Sequence, residues 1–397
     1  MLRWLLASLL LTPSFAAAQD LTPEIGELRR RVAAIRSSLP AITEAAEYAA
    51  RIFGADSTAR FLVPKGFDAA AWMEWYWRAG GPPETGNADD PAARGVVILP
   101  IRSWDQGLAA AMLVERYLGQ GRPVVTIGST TDRPTLRLGQ RVLDNGAPDG
   151  SSSHAAMNGV ANIIVGWTLY VEFVAAATRG GWQAGSYRSV LAPGAEGFNG
   201  GVRFRMFTAP EPPRVAAGTL GAAYLDAIDA ILAADATLSH QALVRRAADS
   251  LRARRARGGQ LLVATCGHYL SDELPRDSVG SPFRHVEWRW DIAGKLRERE
   301  ARAGDGMLWL GYANYDCPNV AVADIFQDAG LGVVALSRDI APTRPNVMVQ
   351  LPMQFPALDA AVKVPFPPGL IGATASVELG LHYLWIKRLV GGQRTPP

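Results

Sequence analysis

Short apolar runs recur along the chain in two ordered sets. The first set is Ala59-Arg60-Phe61-Leu62-Val63-Pro64, Gly95-Val96-Val97-Ile98-Leu99-Pro100 and Pro123-Val124-Val125-Thr126-Ile127. The second is Gly259-Gln260-Leu261-Leu262-Val263-Ala264, Gly306-Met307-Leu308-Trp309-Leu310-Gly311 and Gly332-Val333-Val334-Ala335-Leu336, at offsets of 200, 211 and 209 residues. Runs this continuous predict strands buried on both faces. Apolar positions at helical spacing precede each set (Pro23–Phe53 and Leu220–Arg255), separate its later strands (Gly107–Leu118 and Asn319–Ala329) and close it (Ser153–Thr178 and Thr374–Leu389). Strands alternating with helices imply a parallel sheet covered on both sides. The expectation is an α/β chain of two tandem doubly wound, three-layer domains related by an internal repeat.

The ends of these units follow from punctuation. Met1-Leu2-Arg3, the apolar stretch Trp4–Phe15 and Ala16-Ala17-Ala18 read as a secretory signal over residues 1–18, cleaved before Gln19. Its apolar stretch falls short of the roughly 20 residues that span a bilayer, and no cysteine follows it to take a lipid. A first domain over 19–179, a Gly- and Pro-rich linker over 180–213 and a second domain over 214–397 complete the division. Within the linker, Val202–Phe207 alternates like a strand and predicts an edge strand or hairpin. The stretch Ala155–Ala177 is apolar enough to raise the membrane question, but Asn158, Asn162 and Glu172 favour a buried core helix.

This order of elements resembles the sugar-isomerase (SIS) domain, used twice. The resemblance rests on Gly304-Asp305-Gly306-Met307-Leu308-Trp309-Leu310, on Ala329–Ser337, on Val364-Pro365-Phe366-Pro367 before the last helix, and on Gly119–Ser129 in the first copy. It implies phosphosugar isomerisation or binding, with sites at the carboxyl ends of the strands. It also implies a loop of the form S-x-S-G-x-T after the second strand, holding phosphate at a helix N-terminus. Here those loops read Ile101-Arg102-Ser103-Trp104-Asp105-Gln106 and Tyr312-Ala313-Asn314-Tyr315-Asp316-Cys317, and neither has the signature.

The substitution changes the expected ligand. The 211 offset pairs Ser103 with Asn314, Trp104 with Tyr315 and Asp105 with Asp316. Each Asp is most simply a helix N-cap, worth on the order of 1 kcal/mol. A carboxylate there repels a phosphate about 4 Å away by roughly 4 kcal/mol at an effective dielectric near 20, more than the helix dipole returns. Unless Arg102 compensates, a neutral or amino sugar fits better, with Asp105 or Asp316 accepting its hydrogens and Trp104 or Tyr315 walling one face.

Composition narrows the partners. Forty Lys+Arg against 37 Asp+Glu give a net charge of +3, and the basic run Arg252–Arg257 has no interleaved aromatics, so nucleic acid is not expected. No membrane is expected after leader cleavage, no cofactor is called for, and association into a homodimer is left open. Lys65, after the first strand, is either solvated or an anion contact. Ser151, Ser152 and Ser153, before His154, are either a capped loop or an anion site. Trp72, Trp75, Tyr76 and Trp77 suit a core or repeat interface more than sugar stacking. Reactive types gather in the second copy: Cys266 and His268 after its first strand, Asn314, Tyr315, Asp316 and Cys317 after its second. Glu378 and His382 lie four apart on one helix face, where they could meet as an acid/base pair.

Two functions remain open at this stage. One is a periplasmic or secreted protein that binds a sugar or sugar derivative; the other is an isomerase or hydrolase using His268 or Glu378 as acid/base. The cysteines allow three readings: a Cys266–Cys317 disulfide worth about 2–4 kcal/mol, two independent thiols, or a Cys–His nucleophile or metal cluster. The last lacks a recognised zinc spacing such as C-x2-C, so no metal is assigned. Thiol titration of the denatured, unreduced exported protein separates the readings: a disulfide leaves no titratable thiol, and the alternatives leave two.

Overall fold

The computed structural model describes residues 22–64, 80–83, 85–103, 107–131, 141–149, 154–203, 205–206, 211–266, 281–287, 291–311, 321–339 and 344–392. The first leading stretch forms two helices, α1 (Pro23–Ser37) and α2 (Leu39–Ala55), where the sequence predicts one. Ser38 interrupts it, and Pro40, which cannot continue an α-helix from the preceding turn, sits in the first turn of α2. There follow β1 (Arg60–Val63), β2 (Thr85–Asn87), β3 (Gly95–Pro100), α3 (Gly107–Gly119), β4 (Val124–Gly128), β5 (Arg141–Asp144) and α4 (Ala155–Arg179).

The linker region carries β6 (Gln183–Ala184), α5 (Ala195–Gly201) and β7 (Arg205–Met206). Strands β6 and β7 pair antiparallel as a separate small ribbon rather than extending a larger sheet. The second half then repeats the first: α6 (Thr219–Asp235), α7 (Leu238–Ala256), β8 (Leu261–Thr265), β9 (Arg284–His285), α8 (Ile292–Glu298), β10 (Gly306–Leu310), α9 (Val322–Asp328), β11 (Gly332–Ser337) and β12 (Val347–Pro352). It adds the antiparallel pair β13 (Ala360–Lys363) and β14 (Leu370–Ala373) before α10 (Ala375–Gly391).

Each half has one five-stranded, all-parallel sheet. The orders are β2-β1-β3-β4-β5 and β9-β8-β10-β11-β12, the same permutation used twice. Phe61 pairs with Thr85 on one side and Val96 on the other; Met307 stands between Leu262 and Val333. In such sheets ligands collect beyond the carboxyl ends of the strands, where the winding reverses. Here that reversal falls between β1 and β3, and between β8 and β10.

Helix α4 holds the architecture together. Every residue from Met157 to Thr178 is buried, so the helix has no solvent face over that stretch. It packs on α2, α6, α10 and the first sheet. Phe173 meets Phe61 of β1 and Phe53 of α2 with ring centroids 4.9 and 5.0 Å apart. This is the buried core helix that its asparagines and glutamate predict.

Burial forces each polar side chain of α4 to find a partner. The Glu172 carboxylate accepts hydrogen bonds from Gly218 N (2.8 Å), Gly221 N (2.6 Å) and the Thr43 hydroxyl (3.2 Å). It thus caps the N-terminus of α6, where backbone amides and the helix dipole both favour an anion. Glycine at 221 leaves room for this contact, since a Cβ would lie 2.6 Å from Leu39 Cδ1 and 3.0 Å from Glu172 Cγ and would force the Leu39 side chain to move. Glu172→Ala should lower stability by about 2–4 kcal/mol by orphaning the buried amide of Gly221 and the part-buried amide of Gly218, and Glu172→Gln by less; urea unfolding of the two variants measures both.

Candidate functional site

At the carboxyl end of the first sheet, α4 reaches up into the loops through two asparagines. Asn158 Nδ2 donates to the Arg102 carbonyl (2.6 Å), and Asn162 Nδ2 donates to the Ile101 carbonyl (3.1 Å). The loop leaving β3 is therefore held from beneath by its backbone. Asn162 Oδ1 accepts from Asn145 Nδ2 (2.9 Å), and Asn145 Oδ1 accepts from Ala147 N (3.0 Å), which ties in the loop after β5. The Ser129 hydroxyl donates to the Ala147 carbonyl (3.1 Å) and brings in the loop after β4. Ser103 is half-buried at the outer end of the first of these loops.

Arg31 of α1 lies under this network with no solvent exposure. Its Nη1 donates to Asn158 Oδ1 (2.6 Å) and its Nε to Glu27 Oε1 (2.7 Å), while Nη2 finds no partner among the described residues. Burial, with the Arg30 charge as a smaller contribution, lowers its pKa to about 10, which leaves it charged at neutral pH. A fixed cation under the strand ends was not among the sequence expectations.

The second half places ionisable groups at the matching positions. The helix-capping residues His154 and Thr374 are 220 apart, and the same offset carries Asn158 to Glu378 and Asn162 to His382. Glu378 is fully buried, and its two oxygens accept hydrogen bonds from Gln354 N (2.6 Å) and Phe355 N (2.8 Å), just beyond β12. The pairing of Glu378 with His382 takes a form the sequence reading did not foresee: His382 Nδ1 lies 2.9 Å from the backbone carbonyl of Glu378, not against its carboxylate.

His382 Nε2 instead meets His240 Nε2 at 2.7 Å, and Asp235 Oδ1 stands 3.5 Å from the latter and 3.8 Å from the former. Local structure explains the encounter. Helix α6 ends at Asp235, Thr237 caps α7 by accepting from His240 N, and His240 is thereby turned back over Asp235. Burial pushes His240 down to about 3 and His382 to about 4, so both imidazoles are neutral at physiological pH. Burial also raises the carboxyl pKa of Asp235, and burial together with the neighbouring Asp235 charge raises that of Glu378.

Cys266, at the end of β8, is buried and disulfide-bonded. Of the other sequence-selected residues, Lys65, Trp104, Asp105, Ser151, Ser152, Ser153, His268, Asn314, Tyr315, Asp316 and Cys317 lie outside the described residues, as does the Trp72–Trp77 cluster. A separate cavity of about 390 Å³, lined by Glu47, Arg51, Arg179 and Trp182 among others, opens between the C-terminal ends of α2 and α4, toward the opposite end of the strands. Its Arg179 is committed to Glu47 (2.8 Å) and to the Val215 carbonyl (2.9 Å).

Two equal parallel sheets with winding reversals, each closed by a helix that reaches under the strand ends, define a tandem doubly wound α/β protein. More particularly, the fold is shared with two solved structures of low sequence identity, in keeping with the resemblance to tandem SIS domains. A candidate sugar-binding protein from Salmonella typhimurium LT2 matches at TM-score 0.53 and 10% identity, over 94% of this chain and 99% of that one. A candidate phosphosugar isomerase from Clostridium difficile 630 matches at TM-score 0.51 and 9% identity, over 92% and 91%. No protein-family model matches the sequence, and no curated protein does.

The Glu378 geometry separates two roles. If its carboxylate serves to hold the 354–355 backbone, Glu378→Ala should cost about 2–4 kcal/mol of stability, because a buried amide at Phe355 and a part-buried one at Gln354 lose their acceptor. An acid/base role alone would leave the melting temperature of that variant unchanged. Differential scanning calorimetry decides between them.

Proposed function

We propose that the chain is an exported tandem SIS-like protein that binds a sugar or carbohydrate derivative at the carboxyl ends of its strands, without conventional phosphosugar isomerisation. The observation that carries this reading is the clamped loop after β3. Asn158 and Asn162 hold its first two carbonyls, which pre-organises the start of the loop at Ile101 and Arg102. The loop's sequence lacks the hydroxyl pattern that binds phosphate, and its Ser103 and Asp105 are residue types that suit hydroxyl and ammonium groups.

Two further features support export. The N-terminal segment has the make-up of a secretory signal. Cys266 is oxidised, which fits a periplasmic or extracellular setting, and Cys317 is the partner we assign to it. The names of the two solved structures, one for sugar binding and one for phosphosugar isomerisation, support a sugar-type ligand.

A second reading, an enzyme acting on a phosphorylated sugar, draws support from Arg31, whose buried Nη2 would complement an anion drawn into the strand ends. A thermal-shift screen distinguishes the two. Neutral and amino sugars should raise the melting temperature by a few degrees at saturating concentration, with sugar phosphates giving little, because only a ligand of the folded state stabilises it. Preferential stabilisation by a phosphosugar would overturn the first reading in favour of the second.

A further inference from the structure

Asp235, His240 and His382 form a group with an unusual electrostatic inventory. One donor atom from each lies within 4.8 Å of the others, and all three residues are buried. The Glu378 carbonyl can only accept, so the His382 ring proton resides on Nδ1 and the Nε2 lone pair is left facing the cluster. The Asp235 carboxyl has no solvent exposure and interacts with the Glu378 carboxyl, and neither of its oxygens receives a hydrogen bond from any other described group. Asp235 is also the last residue of α6, where the helix dipole presents its negative end. Among the described residues no lysine or arginine is paired with it; the basic side chains beside it are the two neutral imidazoles. Two buried acids in contact, Asp235 and Glu378, are reconciled either by a shared proton or by a bound cation.

We infer that Asp235, His240 and His382 are the ligands of a buried divalent metal ion, with zinc the ion whose preferences match two imidazole nitrogens and one carboxylate oxygen. The backbone carbonyl of Glu378 fixes the tautomer and aim of His382, as carbonyls behind the ligands do at histidine-bound metals. Zinc–nitrogen bonds near 2.0–2.1 Å in tetrahedral geometry set the two nitrogens about 3.3 Å apart, so the rings separate by about 0.6 Å from their present contact when the ion enters. Burial sets the site apart from bulk water, so the second Asp235 oxygen or a trapped water must fill the fourth position, and the ion, loaded as the chain folds, fastens the α6–α7 turn to α10. Trp385, with its ring centroid 5.8 Å from that of His382 and 6.5 Å from that of His240, closes one side with an apolar surface.

The test uses the mature chain, made in zinc-supplemented medium and dialysed extensively, with metal content read by plasma mass spectrometry. About one equivalent of zinc per chain is expected. Replacement by cobalt(II) should give the visible ligand-field bands of a tetrahedral nitrogen/oxygen site, and His240→Ala and His382→Ala should each abolish them. Asp235→Asn should weaken metal affinity at least tenfold, and His285→Ala, on edge strand β9, should leave it unchanged. Should the histidine variants fail to fold, the wild-type chain still decides the matter: a chelator should lower its melting temperature, and zinc, but not magnesium, should restore it. Zinc retained by the folded histidine variants, or a wild-type chain with no cobalt bands and a melting temperature indifferent to zinc and chelator, overturns the proposal and leaves a proton-sharing cluster.

Discussion

A helix with no solvent face imposes a strict rule on its sequence: each polar group it carries needs a partner supplied by some other element or by its own backbone. Helix α4 obeys this rule along its whole length. Asn158 and Asn162 bond the loops at the strand ends, Tyr170 bonds the Gly185 carbonyl and the Ser186 hydroxyl, Glu172 caps α6, and the Thr178 hydroxyl accepts from Val215 N. Thr168 turns back on the Ile164 carbonyl of its own helix. The first sheet, the region after the helix and the start of the second half are thus all registered against one rod. Loss of any one of these bonds strands a buried donor or acceptor.

The two halves share a backbone plan and diverge in chemistry. Under the first set of strand ends, asparagine amides satisfy carbonyls and a guanidinium. Under the second, a carboxylate satisfies amides while an imidazole meets another imidazole. The exchange of Asn158 and Asn162 for Glu378 and His382 alters which backbone atoms are bound: carbonyls at Ile101 and Arg102, amides at Gln354 and Phe355. An internal repeat can therefore keep its topology while the polarity of one pair of positions inverts.

How much of this could be read from residues alone depends on burial. The six apolar runs became β1, β3, β4, β8, β10 and β11, the inner strands, because a strand covered on both faces has no polar alternation to obscure it. Thr85-Gly86-Asn87, Arg141–Asp144, Arg284-His285 and Val347–Pro352 escaped notice because they lie at sheet edges and remain partly exposed. Arg31 and Asp235 carry a signal in the sequence pattern itself. Arg31 falls on the buried stripe Ile25, Leu28, Val32 and Ile35, and Asp235 extends Leu225, Ile228, Ile231 and Leu232 at the same spacing. A charge on an apolar stripe is costly unless it is partnered, so such positions mark polar sites in the core. Their partners, from helices distant in sequence, have no local trace.

The composition of α4 has a consequence beyond the folded molecule. By length and hydropathy this helix would pass for a membrane span. A carboxylate in the interior of such a segment raises the cost of lipid insertion by on the order of 2–3 kcal/mol, and the two asparagines add to it. The residues that stitch the folded core together thus also make the unfolded segment a poor membrane anchor.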